Sequence, residues 1–214
     1  MNGIESASTR FDIKILENGE VELTKLLSHI AEQQKKVQEC LGSIHLADPG
    51  LSQESNKKIF GIFSASLMEL LKINTVVSDF QKGMAIKHKI VVAYDVSNQL
   101  LQAMGLVLLN REDFKGKKGI ELYSLITSIW NLNYPQNSNH PHRVKGAGSS
   151  IVEFCKKLGA EHQAEYLYLM GAPGALSFYE RLGFKRDPEF AENGSKEDLF
   201  AIKRTPMFCD LESK

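Results

Sequence analysis

Apolar residues recur at two spacings along this chain, mostly helical in its first part and mostly strand-like after it. Residues 11–16 alternate as a short strand does. Apolar residues then recur at helical spacing over residues 21–41 and again over 59–71, which predicts two amphipathic helices separated by a loop. Each helix has one apolar stripe, so both helices need a larger surface to pack on.

From residue 88 the pattern is typical of β structure. The runs K-I-V-V-A-Y and L-L-Q-A-M-G-L-V-L-L flank a polar turn at 95–98 and predict an antiparallel hairpin. The elements predicted after it are a β-rich run at 120–129, an extended loop at 131–142, a helix at 149–158, a strand at 165–170, a short helix at 175–182 and a last strand at 198–203. This order predicts an α+β fold, mixed α and β, with a mostly antiparallel central sheet flanked by helices.

Length and charge narrow the class of protein. A chain of 214 residues can fill one core, and we expect a single domain, with an N-terminal strand and helical part at 1–85, a ligand-binding core at 86–204 and a tail at 205–214. The 26 Lys and Arg residues balance 26 Asp and Glu residues, so no overall positive field favours nucleic acid or an anionic membrane. Neither is expected as a partner.

Targeting and metal-binding patterns are not evident. The first twenty residues carry charges that a secretory signal would lack, and no uninterrupted apolar run approaches the roughly 20 residues of a membrane-spanning helix. The three cysteines are widely spaced, which predicts neither disulfides nor a zinc site and fits a reducing cytoplasm. Cys155 lies on an apolar helical stripe and is expected in the core. His140 and His142 lack a third ligand, so we expect no metal; they are either exposed loop residues or part of a substrate cleft.

The segment Arg143-Val144-Lys145-Gly146-Ala147-Gly148 lies immediately before a predicted helix. Glycines let the backbone approach a ligand closely, the first helical turn leaves amide N–H groups unpaired, and the helix dipole favours negative charge there. Arg143 and Lys145 would add charge-assisted contacts to phosphate oxygens. These features predict a pyrophosphate site, although an ordinary turn into a helix can also contain two glycines.

Two other phosphate-binding motifs do not fit this chain. Ile151 occupies the third glycine position of the dinucleotide fingerprint G-x-G-x-x-G. A P-loop is also excluded, because Gly116-Lys117 is followed by Lys118 where serine or threonine is required.

The sequence R-V-K-G-A-G at 143–148 resembles the signature Q/R-x-x-G-x-G/A of the GNAT superfamily of acyl-CoA N-acyltransferases. A second signature of that family, close to A-x-x-F-Y-x-x-x-G-F, is matched by A-L-S-F-Y-E-R-L-G-F at 175–184. The two signatures stand in the family's order with a strand between them, which makes the resemblance specific from about residue 88 to 203. It implies a sheet that is splayed at an acetyl-CoA site.

The resemblance also implies a set of cofactor-binding residues. The backbone of the glycine turn would hold the CoA pyrophosphate, and the end of the preceding strand would pair through its main chain with the pantetheine arm. The thioester would then lie at the splayed gap. The residues implied are Leu125, Ile126, Thr127, Arg143, Val144, Lys145, Gly146, Ala147, Gly148 and Ser149.

Two residues are implied as catalytic. Tyr179 matches the tyrosine that protonates the departing thiolate in many members; alternatively it is a core residue. Glu121 stands four residues before Leu125, where some members place an acid, and alternation predicts that it shares a face with Tyr123 and Leu125. It would accept the proton of the amine directly or through water, unless it is simply a solvated charge. Ala172 departs from the asparagine that is frequent in the family.

The activity implied is transfer of an acetyl group from acetyl-CoA to a primary amine by direct attack, without a covalent enzyme intermediate. The acceptor is not encoded in a recognisable motif, and the oligomeric state is open. The alternative is a non-catalytic acyl-CoA-binding module whose helical N-terminal part docks a partner protein.

Overall fold

The computed structural model of the protein describes residues 10–16, 20–45, 53–84, 87–114, 116–132, 140–187 and 204–211. Its strands are β1 (Phe11–Leu16), β2 (His88–Asp95), β3 (Leu101–Phe114), β4 (Lys117–Thr127), β5 (Tyr166–Gly171), β6 (Lys185–Arg186) and β7 (Thr205–Asp210). Its helices are α1 (Glu20–His45), α2 (Gln53–Gln81), α3 (Ala147–Glu161) and α4 (Leu176–Arg181). Both N-terminal helices extend further into the predicted loop at 43–56 than the sequence pattern indicated.

The described strands form one sheet in the order β1-β2-β3-β4-β5-β7-β6. Among the described strands, only the β4–β5 pair is parallel, and every other neighbouring pair is antiparallel. The parallel pair is joined through α3, as the crossover between parallel strands requires. The predicted α+β fold with a mostly antiparallel sheet flanked by helices is confirmed.

Both faces of the sheet are covered by helices. On β2, Val91 and Ala93 belong to the core that contains α3, whereas Ile90 and Val92 belong to the core that contains α1 and α2. The two-residue period of a strand produces this division. Cys155 is fully buried in the α3 core, as predicted, and burial raises the pKa of its thiol to about 12.

The C-terminal strand differs from the sequence prediction. The predicted strand at 198–203 lies outside the described residues. Residues 205–210, which were expected in the tail, form β7. Strand β7 pairs with β5 from Tyr166↔Asp210 to Gly171↔Thr205. A short T-P-M-F-C-D segment with a proline is a weak strand signal, and the partner strand supplies the pairing that local pattern does not show.

Helix α2 satisfies, by length and composition alone, the test for a helix that could cross a membrane over Glu54–Gln81. The sequence pattern had predicted no such segment. In the structure, Phe63, Leu70, Ile73 and Val77 of this helix are buried against the sheet. Core helices of globular domains satisfy the same test, and this apolar stripe has a place in the core.

His29 on α1 gives the fold a pH-dependent stability. Its ring packs edge-on against Trp130, with ring centroids 5.8 Å apart, and burial lowers the pKa of His29 to about 4. The unfolded chain, with a histidine pKa of about 6.5, binds this proton more readily. The contribution of neutral His29 to the free energy of unfolding is therefore complete above about pH 6.5 and is lost as the pH falls toward 4.

We expect His29→Gln to flatten the dependence of the unfolding free energy on pH between about 6.5 and 4, by up to about 3 kcal/mol. Urea titrations of both proteins across this range would measure the difference. Parallel pH curves for the two proteins would contradict the assignment.

Candidate active site

A gap opens in the sheet between β4 and β5. These parallel strands pair from Gly119↔Tyr166 to Leu122↔Leu169 and then separate. Beyond that point β4 remains paired with β3, and β5 remains paired with β7. Peptide groups of β4 that face the gap after Leu122 have no described strand to pair with. An extended ligand with its own amide groups can bind there in the manner of an added strand.

The gap leads into a cavity of about 790 Å³. This volume is within the range of about 300 to 1,000 Å³ that small-molecule and cofactor sites occupy. The lining includes every residue that the sequence predicted to bind the cofactor, namely Leu125, Ile126, Thr127, Arg143, Val144, Lys145, Gly146, Ala147, Gly148 and Ser149. It also includes Tyr179, but among its described residues it does not include Glu121.

The glycine turn begins α3 at one side of this cavity. Gly146 precedes the helix with a φ of 99°, a left-handed conformation that favours glycine. The helical hydrogen-bond ladder starts with the Ser150 N–H, which donates to the Gly146 carbonyl at 2.8 Å, so the amides of residues 147–149 precede the ladder. The Val144 N–H donates to Asn131 Oδ1 at 2.7 Å and fixes the approach to the turn.

Gly148 is buried where α3 meets the cavity. A Cβ at this position would lie 3.3 Å from Thr127 Cγ2 and 3.6 Å from Phe178 Cζ. A larger side chain would have to displace Thr127 or Phe178, and both of these residues line the cavity.

Positive charge predominates on the described lining of the cavity. Five cationic side chains, those of Lys57, Arg143, Lys145, Arg181 and Arg204, contribute to it, against the single carboxylate of Glu69. Within the described part of the chain, Nε of Arg143 is buried and has no hydrogen-bond partner. A buried guanidinium nitrogen without a partner is costly. An anionic ligand such as a phosphate would supply the missing acceptor, so these residues fit the predicted pyrophosphate.

Tyr179 occupies another part of the lining, on α4. Its ring packs edge-on against Phe178 and Phe184, with ring centroids 5.0 and 5.7 Å away. None of the described residues hydrogen-bonds its hydroxyl group, which leaves this group available to a ligand in the cavity. Burial, with a smaller contribution from the charge of Glu69, raises the pKa of Tyr179 above its usual value. The phenol is therefore protonated at neutral pH and can act as a donor.

The prediction that Glu121 and Leu125 share one face of β4 is wrong. The register between β3 and β4 shifts where Leu106↔Ser124 is followed by Val107↔Leu122, so Tyr123 is an extra residue in a β-bulge. Leu122 before the bulge and Leu125 after it both belong to the α3 core. Glu121 alternates with Leu122, and it therefore points to the opposite face from Leu125. Strict alternation fails here because a bulge reverses it.

Sequence reasoning missed a polar cluster across the gap, formed by Glu69, Ser124 and Arg204. The Ser124 hydroxyl donates to Glu69 Oε2, and Arg204 Nη2 donates to Glu69 Oε1. Lys72 Nζ also approaches Oε1, at 3.4 Å. The partners of Glu69 are 55 and 135 residues away from it in sequence. The sequence therefore showed only an acidic residue beside the apolar stripe of α2, and no sign of the cluster.

His140 and His142 pack on Trp130 rather than on the cavity. The His140 ring stacks on Trp130 with centroids 5.8 Å apart and planes at 9°, and His142 lies 6.0 Å away. The Trp130 indole N–H donates to Gln102 Oε1 at 3.0 Å. Trp130 thus packs against the end of the predicted loop, at residues 140–142. Among the described residues no group of His, Cys, Asp and Glu side chains could hold a metal ion.

Comparison with known proteins agrees with this geometry. Residues 88–184 match the family model described as the acetyltransferase (GNAT) family. A GNAT-family acetyltransferase structure from Listeria monocytogenes aligns with a TM-score of 0.53 at 13% identity, over 98% of this chain and 100% of that one. This similarity concerns the fold, which extends through the helical N-terminal part.

Two further solved structures align over most of their length. A putative N-acetyltransferase from Lactobacillus plantarum has a TM-score of 0.48 and 10% identity, over 95% of this chain and 100% of that one. The aminoglycoside N(6')-acetyltransferase from Legionella pneumophila has a TM-score of 0.48 and 13% identity, over 95% and 94% of the two chains. No curated protein sequence matches this chain significantly.

Proposed function

We propose that this chain, whose residues 88–184 match the model of the acetyltransferase (GNAT) family, transfers an acetyl group from acetyl-CoA to a primary amine. The observation that carries the proposal is one cavity that joins the glycine turn, the splayed end of β4 and the Tyr179 side chain. Acetyl-CoA has a pyrophosphate, an amide-containing arm and a thioester, in that order. The cavity offers a complementary group for each.

The glycine turn would bind the pyrophosphate through the amides of residues 147–149, and Arg143 and Lys145 would add charge. The gap-side peptide groups of Leu125 to Thr127 would pair with the amides of the pantetheine arm. These contacts would place the thioester beside Tyr179. An amide N–H of the same segment of β4 would polarise the thioester carbonyl.

The reaction needs no covalent enzyme intermediate. The amine lone pair forms a bond with the thioester carbonyl carbon, and the C–S bond breaks with its electrons going to sulfur. Tyr179 donates its phenolic proton to that sulfur, and the proton released from the new amide nitrogen returns to Tyr179 through water. Acetylated amine and free CoA are the products.

Ala172 supports an alternative function. This residue lines the cavity where many members of the family have an asparagine, and it brings no polar side chain to the thioester. A chain that binds acyl-CoA without transferring the acyl group would tolerate this loss. The alternative therefore predicts acetyl-CoA binding without turnover.

Release of CoA, detected with a thiol reagent, separates the two functions. Calorimetric titration first establishes that the protein binds acetyl-CoA, and a panel of primary amines is then added. We expect amine-dependent CoA release and a mass increase of the amine that corresponds to one acetyl group. Binding of acetyl-CoA without release in the presence of any amine would favour the non-catalytic module.

A further inference from the structure

A proton acceptor for the amine is needed in the proposed reaction, and Glu121 is not on the described lining of the cavity. Glu69 of α2 is the single carboxylate on that lining. We propose that Glu69 binds the ammonium group of the acceptor and accepts its proton before attack. The inference rests on the proposed function, because it assigns a role within the same reaction.

Glu69 is fixed at the point where the gap begins. Its Oε2 accepts a hydrogen bond from Ser124, two residues after Leu122, the last residue of β4 that pairs with β5. Its side chain is 13% exposed, so it is held within the protein and still reaches the cavity. A carboxylate in this place is close to where the thioester would end.

The charged and polar groups around Glu69 come from three elements and from the residue before β7. Lys72 lies on the same helix, Ser124 on β4 and Arg204 immediately before β7, while Tyr179 lies on α4. Glu69 and Tyr179 both line the cavity, and the negative charge of Glu69 adds to the effect of burial in raising the pKa of Tyr179. The proposal thus places a proton acceptor and a proton donor on the lining of the same cavity.

Glu69 retains capacity to bind the acceptor. An ionised carboxylate offers about four acceptor positions. Ser124, Arg204 and the more distant Lys72 use three of them. The remaining position can receive an N–H of an ammonium group, while Arg204 keeps the carboxylate oriented.

The proton transfers balance as follows. Glu69 takes one proton from the alkylammonium, and the neutral amine attacks the carbonyl carbon. The C–S bond breaks and sulfur receives the proton of Tyr179. The second proton of the amine nitrogen returns to Tyr179 through water, and Glu69 releases its proton to solvent, so the net reaction liberates one proton.

The first test compares Glu69→Gln with the wild type, using benzylamine and aniline with acetyl-CoA. Benzylamine reaches the site as an ammonium ion, whereas aniline is already neutral at pH 7. We expect kcat/KM for benzylamine to fall by about 10² to 10⁴, as for loss of a general base, and kcat/KM for aniline to fall much less. Equal losses for both amines would mean a structural role and would overturn the proposal.

Further variants separate the carboxylate from its packing. Glu69→Asp should recover part of the preference for benzylamine, and Glu153→Gln, a change of an exposed carboxylate on α3, should leave both rates unchanged. Glu121→Gln is measured alongside. If that variant loses benzylamine turnover selectively and Glu69→Gln does not, the base is Glu121 and the proposal is wrong.

The second test does not require turnover. Calorimetry measures the binding of a series of primary alkylamines, benzylamine included, to protein saturated with CoA. We expect Glu69→Gln to weaken this binding by about tenfold or more, as for loss of a charge-assisted contact. Equal binding by both proteins, or no binding by the wild type, would overturn the proposal. Glu69-dependent binding without CoA release would instead contradict the proposed acetyl transfer alone.

Discussion

Gly148→Val should reduce acetyl-CoA affinity by about two orders of magnitude or more while the chain remains folded. A Cβ at residue 148 already lies 3.3 Å from Thr127 Cγ2 and 3.6 Å from Phe178 Cζ. The two methyl groups of valine would therefore press on Thr127 and Phe178, which line the cavity, and displace the first turn of α3 from the place where it would meet the pyrophosphate. A displaced turn costs a few kcal/mol of contacts, and about 1.4 kcal/mol corresponds to each factor of ten in Kd.

Calorimetric titration with acetyl-CoA measures this effect, and circular dichroism checks the fold. Gly146→Ala is a separate variant, because space is adequate there and the cost is the strain of a φ of 99°. Gly42→Ala in α1, where a Cβ meets no atom within 4 Å, is the matched control and should bind normally. Unchanged affinity of folded Gly148→Val would remove the glycine turn from the site.

The turn and Tyr179 could be predicted because their signals are local in sequence. A turn into a helix needs glycine at particular backbone positions, and those positions are contiguous at 143–148. Tyr179 stands in a similarly short motif. Residues that are adjacent in sequence stay close together in the folded chain, so a short motif can be recognised from the sequence alone.

The Glu69 cluster could not be predicted, because its members come together only through packing. Ser124 and Arg204 reach Glu69 across 55 and 135 residues, and neither contact leaves a pattern in the sequence. The predicted orientation of Glu121 was wrong for a different reason. A single extra residue, Tyr123, reverses the alternation of β4, and the sequence of that strand has no glycine or proline at the bulge to indicate it.

Tyr179→Phe should lower kcat by about 10² to 10⁴, the usual value of general acid catalysis, with little change in acetyl-CoA affinity. The phenylalanine ring keeps the edge-on contacts with Phe178 and Phe184. Since no described residue hydrogen-bonds the hydroxyl, its removal breaks no internal contact in this part of the chain and should change stability little. The lost group is the donor to the departing sulfur.

Three measurements on the same preparation decide the role of Tyr179: kcat with the best amine of the panel, Kd for acetyl-CoA, and the unfolding free energy. Tyr94→Phe, on β2 and partly buried against the other core, is the matched control and should retain full turnover. Because burial raises the pKa of Tyr179, the phenol stays protonated through mildly alkaline pH, and wild-type kcat should not fall there through its ionisation. A Tyr179→Phe protein that is less stable but turns over at the wild-type rate would identify Tyr179 as a core residue and assign protonation of the thiolate to water.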